Sequence, residues 1–209
     1  MVKDDRFIIA GLGGLKTLHG ELNVGGAKNE VLKVLAGSVL FKDGFIVDNV
    51  PEIEDVKQII ALLERLGVKV EHPGKNKYFL NTENLTRFTL SADISKKLRA
   101  SIVITGPLLA RFGQVVFPYP GGCVIGKRPI DFFLSGFKKM GAQVSEDGEN
   151  FTVKAITGQL VGAEIFFKNQ SVTATETFLM AGVLAKGKTI LKNSALEPEI
   201  VSFGQWLNE

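Results

Sequence analysis

Apolar residues recur at helical spacing in residues 55–66, where Val56, Ile59, Ile60, Leu63 and Leu66 share one face and charged residues fill the other. Gly67 follows at the position where a left-handed residue closes a helix, and Val68-Lys69-Val70-Glu71 then reads as a strand. The same signals return about 74 residues later: residues 130–140 form an amphipathic helix, Gly141 closes it, and Ala142-Gln143-Val144 opens a strand. A second correspondence links residues 43–56 with 186–201. Each has a Lys/Asp-Gly turn, a strand, and a helix start carrying Pro51-Glu52-Ile53 or Pro198-Glu199-Ile200. The helices that precede these two strands, 30–41 and 175–185, are both rich in Ala, Leu and Val.

These correspondences give three copies of one strand–helix unit within a single domain. Strands are expected at 20–25, 44–49, 69–71, 77–81, 114–117, 142–146, 150–155, 163–168 and 189–193. Alternation of this kind makes the chain α/β (α+β), with sheets covered by helices and a pseudo-threefold plan over residues 20–209. Residues 1–19 precede the first copy and are assigned outside this domain. In the third copy, a helix begins (Ile200, Phe203, Leu207) but its end and the strand after it are missing. An apolar face cut off in mid-helix has nothing to pack against. The expectation is a third repeat truncated at Glu209, with a second domain in the natural polypeptide. A short terminal helix of a complete domain is the alternative.

Composition narrows the function classes. Hydrophobic residues make up 45% and charged residues 22%, a globular profile, and 15 Phe against two Tyr and one Trp read as core filling. Net charge is only +3, with Lys and Arg dispersed, which argues against nucleic acid but leaves small anions open. No apolar run approaches the roughly 20 residues that span a bilayer, and the charged start is not a signal peptide, so no membrane role and a cytoplasmic location are expected. The single cysteine excludes an internal disulfide. His19 and His72 are far apart, and neither a metal nor an organic cofactor is expected.

Four segments carry chemistry. Cys123 lies in Pro120-Gly121-Gly122-Cys123-Val124-Ile125-Gly126-Lys127-Arg128, a glycine-rich stretch that reads as a loop presenting the thiol. Lys127 and Arg128 close by favour the thiolate. A buried structural cysteine is the alternative, although it would sit among aliphatic residues. Gly25-Gly26-Ala27-Lys28-Asn29-Glu30 joins a strand to a helix, where free N–H donors and Lys28 suit a phosphate or carboxylate. It lacks Walker A spacing, and an ordinary turn with a solvated lysine fits it equally. Arg99 opens an apolar helix at 102–110 and could grip a diphosphate in bidentate fashion, whereas the local pattern alone favours a solvated first turn. Ser171-Val172-Thr173 is the third copy's counterpart of the Lys28 turn, suited to capping or to a ligand, with capping the simpler use. Arg111 reads as structural, placed for the helix dipole.

Taken in order, the segments G-E-L-N-V-G-G-A-K-N, L-R-A-S-I, G-P-L-L-A-R-F-G, P-G-G-C-V-I-G-K-R-P-I-D, S-V-T-A-T-E and E-P-E-I-V resemble the UDP-N-acetylglucosamine 1-carboxyvinyltransferases, enolpyruvyl transferases of peptidoglycan synthesis. The resemblance covers nearly the whole chain. It implies an inside-out α/β barrel domain of three βαβαββ-like repeats, paired with a second, similar domain. It implies transfer of the enolpyruvyl group of phosphoenolpyruvate to the 3-hydroxyl of UDP-N-acetylglucosamine, with loss of phosphate through a tetrahedral ketal and without a cofactor.

The same resemblance assigns roles. Cys123 is the proton donor and the target of fosfomycin. Lys28 and Arg128 bind phosphoenolpyruvate, and Asn29 holds the sugar nucleotide near its reacting hydroxyl. Arg99 faces the phosphates, and Pro129, Ile130, Asp131 and Phe132 line the uridine site opposite Ser171, Val172 and Thr173. Two departures stand out: Thr173 and Gly26 replace a frequent glycine and a frequent serine. The family's general base lies in the second half, so the 209 residues alone are expected to have negligible turnover. A catalytically inactive UDP-sugar-binding module, or an enzyme like 5-enolpyruvylshikimate-3-phosphate synthase, is the competing reading.

Overall fold

The structure is a computed structural model and describes residues 8–11, 13–14, 19–121 and 129–209. The first repeat contains α1 (Lys28–Gly37), β1 (Phe45–Val47), α2 (Glu54–Leu66), β2 (Lys69–Gly74) and β3 (Lys77–Asn81). The second contains α3 (Ala92–Ser95), a 3-10 segment at Arg99–Ile104, α4 (Thr105–Phe112), β4 (Gln114–Pro118), α5 (Asp131–Lys139), β5 (Ala142–Asp147) and β6 (Asn150–Ala155). The third contains β7 (Glu164–Phe166), α6 (Val172–Val183), β8 (Ile190–Lys192) and α7 (Pro198–Trp206). Eight of the nine expected strands are present.

Each repeat builds its own small sheet. The first runs β1-β3-β2 and the second β4-β6-β5, both antiparallel, with Val47 opposite Tyr78 and Val115 opposite Val153. The third pairs β7 with β8 in parallel, Ile165 opposite Leu191. In the second repeat the equivalent of β7 is a single parallel bridge, Thr89 to Val116. Helices α1, α4 and α6 pack inside these sheets, so the layers are inverted relative to a sheet-centred α/β fold. Their sequences explain this: α1 buries residues on most of its circumference, and α6 buries seven of its twelve. Gly67 and Gly141 have φ of +110° and +81°, as expected of residues closing α2 and α5.

Two expectations are corrected. Residues 20–25 form no strand: Leu22 is 94% exposed and Val24 91%, and no ladder reaches them among the described residues. Their alternation is real, but a strand exists only where a neighbour accepts its backbone bonds. The helix expected at 102–110 is two elements. Residues Arg99–Ile104 wind as a tighter 3-10 segment, and α4 begins only at Thr105. The β-branched run Ile102-Val103-Ile104 is a poor α-helix interior and is fully buried instead. Arg111 is structural: its guanidinium donates to the carbonyls of Val39, Phe41 and Thr82 and so ties α4 to the first repeat.

Candidate functional site

Two adjoining pockets share Arg99 and Thr173 and together form one groove across the repeats. The wider, 620 Å³, is bordered by Pro129, Asp131 and Phe132 at the start of α5 and by Lys168, Gln170 and Ser171 before α6. The narrower, 310 Å³, is bordered by Lys28 and Asn29 at the start of α1, and by Lys33, Asp55 and Lys97. The groove therefore collects the N-terminal ends of three helices, one from each repeat. Exposed N–H groups and the positive ends of three helix dipoles converge there.

Local sequence sets each end. Helix α1 begins after Ala27, whose side chain offers no cap, so its first N–H groups remain available to a ligand. Gly26 lies so close to the Asn49 carbonyl that an added Cβ would overlap it. Its glycine, unlike the serine frequent in the resembling family, is thus required by the packing here. Lys28 Nζ pairs with Asp55 at 2.6 Å on the surface, and Asn29 donates to Glu199 at 3.4 Å. Helix α6 is closed differently. Ser171 Oγ accepts from the Ala174 N–H at 3.3 Å, so this serine caps its helix, the simpler of its two expected uses. Thr173, one residue into the helix, borders both pockets.

Of the residues expected at a site, Lys28, Asn29, Arg99, Pro129, Asp131, Phe132, Ser171 and Thr173 border this groove. Ile130 does not: its side chain is 3% exposed and belongs to the core. It is the N-cap residue of α5, offers no side-chain cap, and is buried with Phe133 and Phe137 in the core. Val172, half-buried, borders neither pocket. Cys123 and Arg128, with Lys127, lie outside the described residues. The chain enters that segment from a fixed point, because the Gly121 N–H donates to the Ser95 carbonyl at 3.0 Å.

The residue-by-residue reading gave no site role to Lys33, Lys97, Lys168 or Glu176. Lys33 Nζ lies 3.1 Å from Glu176 Oε1, with side chains 7% and 1% exposed, and it donates to the Asn29 carbonyl at 2.8 Å. Burial pushes the Glu176 carboxyl up to about 7, against the opposing pull of Lys33, while Glu199 and Glu197 push it the same way. A signal did exist. Lys33 is the one charge in the apolar run from Val31 to Leu40, and Glu176 is the one charged residue of α6.

The family model for EPSP synthase (3-phosphoshikimate 1-carboxyvinyltransferase) matches residues 12–209. The UDP-N-acetylglucosamine 1-carboxyvinyltransferase of Finegoldia magna is 41% identical over 192 residues, 92% of this chain and 45% of that protein. The protein of the same name from Cellvibrio japonicus is 40% identical over 203 residues, 97% of this chain and 47% of its own length. The chain thus spans about half the length of the curated relatives it matches. Among solved structures, the enolpyruvyl transferase NikO from Streptomyces tendae superposes with a TM-score of 0.77 at 17% identity, over 91% of this chain and 44% of that one. EPSP synthase from Acinetobacter baumannii gives 0.69 at 19%, over 87% and 42%. At such identities these two describe the fold, an enolpyruvyl transferase domain.

Proposed function

The chain belongs to the EPSP synthase (3-phosphoshikimate 1-carboxyvinyltransferase) family, and on that premise we propose that it supplies the sugar-nucleotide and thiol half of a UDP-N-acetylglucosamine 1-carboxyvinyltransferase. The reaction is transfer of the enolpyruvyl group of phosphoenolpyruvate to the sugar 3-hydroxyl, a cytoplasmic step of peptidoglycan synthesis. The observation that carries this reading is the groove itself. It gathers Lys28, Asn29, Arg99, Asp131 and Thr173 from three repeats onto one cationic surface. Relatives of about 40% identity bear that enzyme's name, which supports the sugar nucleotide over shikimate phosphate as the proposed acceptor.

In this reading the wider pocket takes the nucleoside, with Phe132 offering an apolar face, Asp131 a hydrogen-bond acceptor and Arg99 a charge for the diphosphate. Asn29 holds the sugar. Lys28 and Arg128 hold the phosphoenolpyruvate anion and stabilise the departing phosphate. Chemistry begins when the general base of the second domain takes the proton of the sugar 3-hydroxyl, its oxygen bonds to C2 of phosphoenolpyruvate, and the Cys123 thiol gives its proton to the methylene carbon, leaving a thiolate. The tetrahedral ketal then returns a proton from that methyl group to the Cys123 thiolate while phosphate leaves with the proton held by the base, restoring the double bond. A second domain completes the site, as the relatives' greater length suggests. The isolated chain binds but does not turn over.

The test is titration calorimetry of the chain with UDP-N-acetylglucosamine, alongside mass spectrometry after fosfomycin. The expected result is saturable binding and a single adduct at Cys123. Binding without an adduct favours a catalytically inactive UDP-sugar-binding module. Binding of shikimate 3-phosphate in place of the sugar nucleotide favours a 5-enolpyruvylshikimate-3-phosphate synthase-like enzyme. Absence of both binding and adduct refutes the proposal.

A further inference from the structure

Lys33 and Glu176 are two charges that the proposed reaction does not use. They come from helices of different repeats and meet beneath the Lys28–Asn29 end of the groove. Both are more than nine-tenths buried, and Glu176 Oε2 has no hydrogen-bond partner. A buried ion pair of this kind is weak evidence for stability, because removing two charges from water offsets most of their attraction. Apolar side chains of similar volume would join α1 to α6 at least as well. Two features tie the pair to the groove instead. Lys33 borders the narrower pocket, and its ammonium holds the Asn29 carbonyl from below.

We propose that Lys33 is a positioning residue for Asn29 and that Glu176 is a protonatable counter-charge, which sets how much of the Lys33 charge a ligand in the groove experiences. The proposal rests on the reading that this groove takes a nucleoside diphosphate sugar. With Glu176 ionised, the pair is neutral and the Lys28 end loses positive potential. With Glu176 protonated, its carboxyl still accepts from Lys33, the bond to Asn29 persists, and the ammonium charge is uncompensated. The charged groups facing Glu176 are Lys33 from α1 and Glu197 and Glu199 from the start of α7. Around the Lys33 end of the pocket stand Lys28, Asp55, Lys97 and Arg99. Burial pushes Glu176 up to about 7, so the change falls within the physiological range.

The first arm of the test needs no ligand. The carbonyl carbon shift of Asn29 is followed by NMR from about pH 5.5 to 8.5. A titration with a midpoint near 7 is expected in the wild type and is absent in Glu176→Gln and Lys33→Met. A flat Asn29 carbonyl in the wild type overturns the proposal whether or not anything binds.

The second arm is calorimetry with UDP-N-acetylglucosamine at pH 6 and 8, an interval in which its diphosphate diester keeps constant charge. Wild-type affinity should rise about tenfold toward pH 6. Glu176→Gln should keep the tighter affinity at both values, and Lys33→Met should bind about tenfold more weakly at pH 6 with no pH dependence. A wild-type pH profile retained in Glu176→Gln overturns the proposal and reduces the pair to a packing element. Glu176→Gln keeps the side-chain volume, so it decides the matter even if Lys33→Met does not fold. An Asn29 titration with no binding by any form refutes the substrate reading alone and leaves the pair in control of Asn29.

Discussion

At the wider end of the groove, Ser171 caps α6 and the floor beneath is aromatic. Phe178 packs against Phe132, Phe133, Phe137 and Phe167, with ring centroids 5.3–6.3 Å apart. At the narrower end, α1 starts without a side-chain cap and the floor is the Lys33–Glu176 pair. One end is capped by Ser171 and apolar beneath. The other keeps free N–H donors and rests on a group that titrates near neutrality. Equivalent turns of a repeated unit have thus been specialised in opposite directions. On the proposed function, the apolar end suits a nucleoside and the end with open N–H donors and lysines suits an anion.

Four experiments break or sharpen this contrast. The largest effect is expected at the aromatic floor. Phe178→Ala should cost about 4 kcal/mol, measured by denaturant unfolding, because a fully buried ring with four ring neighbours leaves a cavity. A loss below about 1 kcal/mol would mean the wider end is not founded on this cluster.

The second effect belongs to the other floor. Glu176 is raised in the folded chain, so folding takes up a proton between about pH 4.5 and 7. The stability this supplies is complete below the unfolded value of 4.5, declines as pH rises and is gone above about 7. Its size is on the order of 3 kcal/mol. Unfolding curves across that range should show the decline in the wild type and lose most of it in Glu176→Gln. Equal slopes in the two proteins would contradict it.

Ser171→Ala comes third, with an expected loss of about 1 kcal/mol in thermal unfolding from the missing cap. The smallest stability effect is expected for Lys28→Ala. Its pair with Asp55 is exposed, 55% and 36%, so stability should move by less than about 1 kcal/mol. Affinity for UDP-N-acetylglucosamine and the rate of fosfomycin attachment should both fall. A stability loss matching that of Ser171→Ala, with ligand binding intact, would make the two helix starts alike and erase the contrast.

Much of this was legible along the chain. Val56, Ile59, Leu63 and Gly67 announced α2 and its end, and the same signals around Gly141 announced the repeat. Lys28 and Arg99 could be singled out because helix starts with charged or small residues are local features, whereas Asn29 and Asp131 came only from the family resemblance. The pairing of residues 20–25 was not legible, since a strand's partner is not written in the strand. The break at Thr105 was hidden by an apolar run that suits a buried 3-10 segment as well as a helix. Ile130, read as a lining residue, faces inward because its apolar side chain is buried in the core at the start of α5.

Period, turn chemistry and helix ends are short-range properties, so the sequence alone determined the three repeats, their elements and the turns that supply the groove. What lies opposite what is a long-range property, fixed only when the inner helices pack. That packing brought Thr173 across from Lys28 and Arg99, gave the two ends of the groove different floors, and set the buried Lys33 of α1 against the single glutamate of α6, 143 positions later in the chain. Burial then moved the titration of that glutamate, because the free energy of a charge depends on the medium around it and not on its neighbours in sequence.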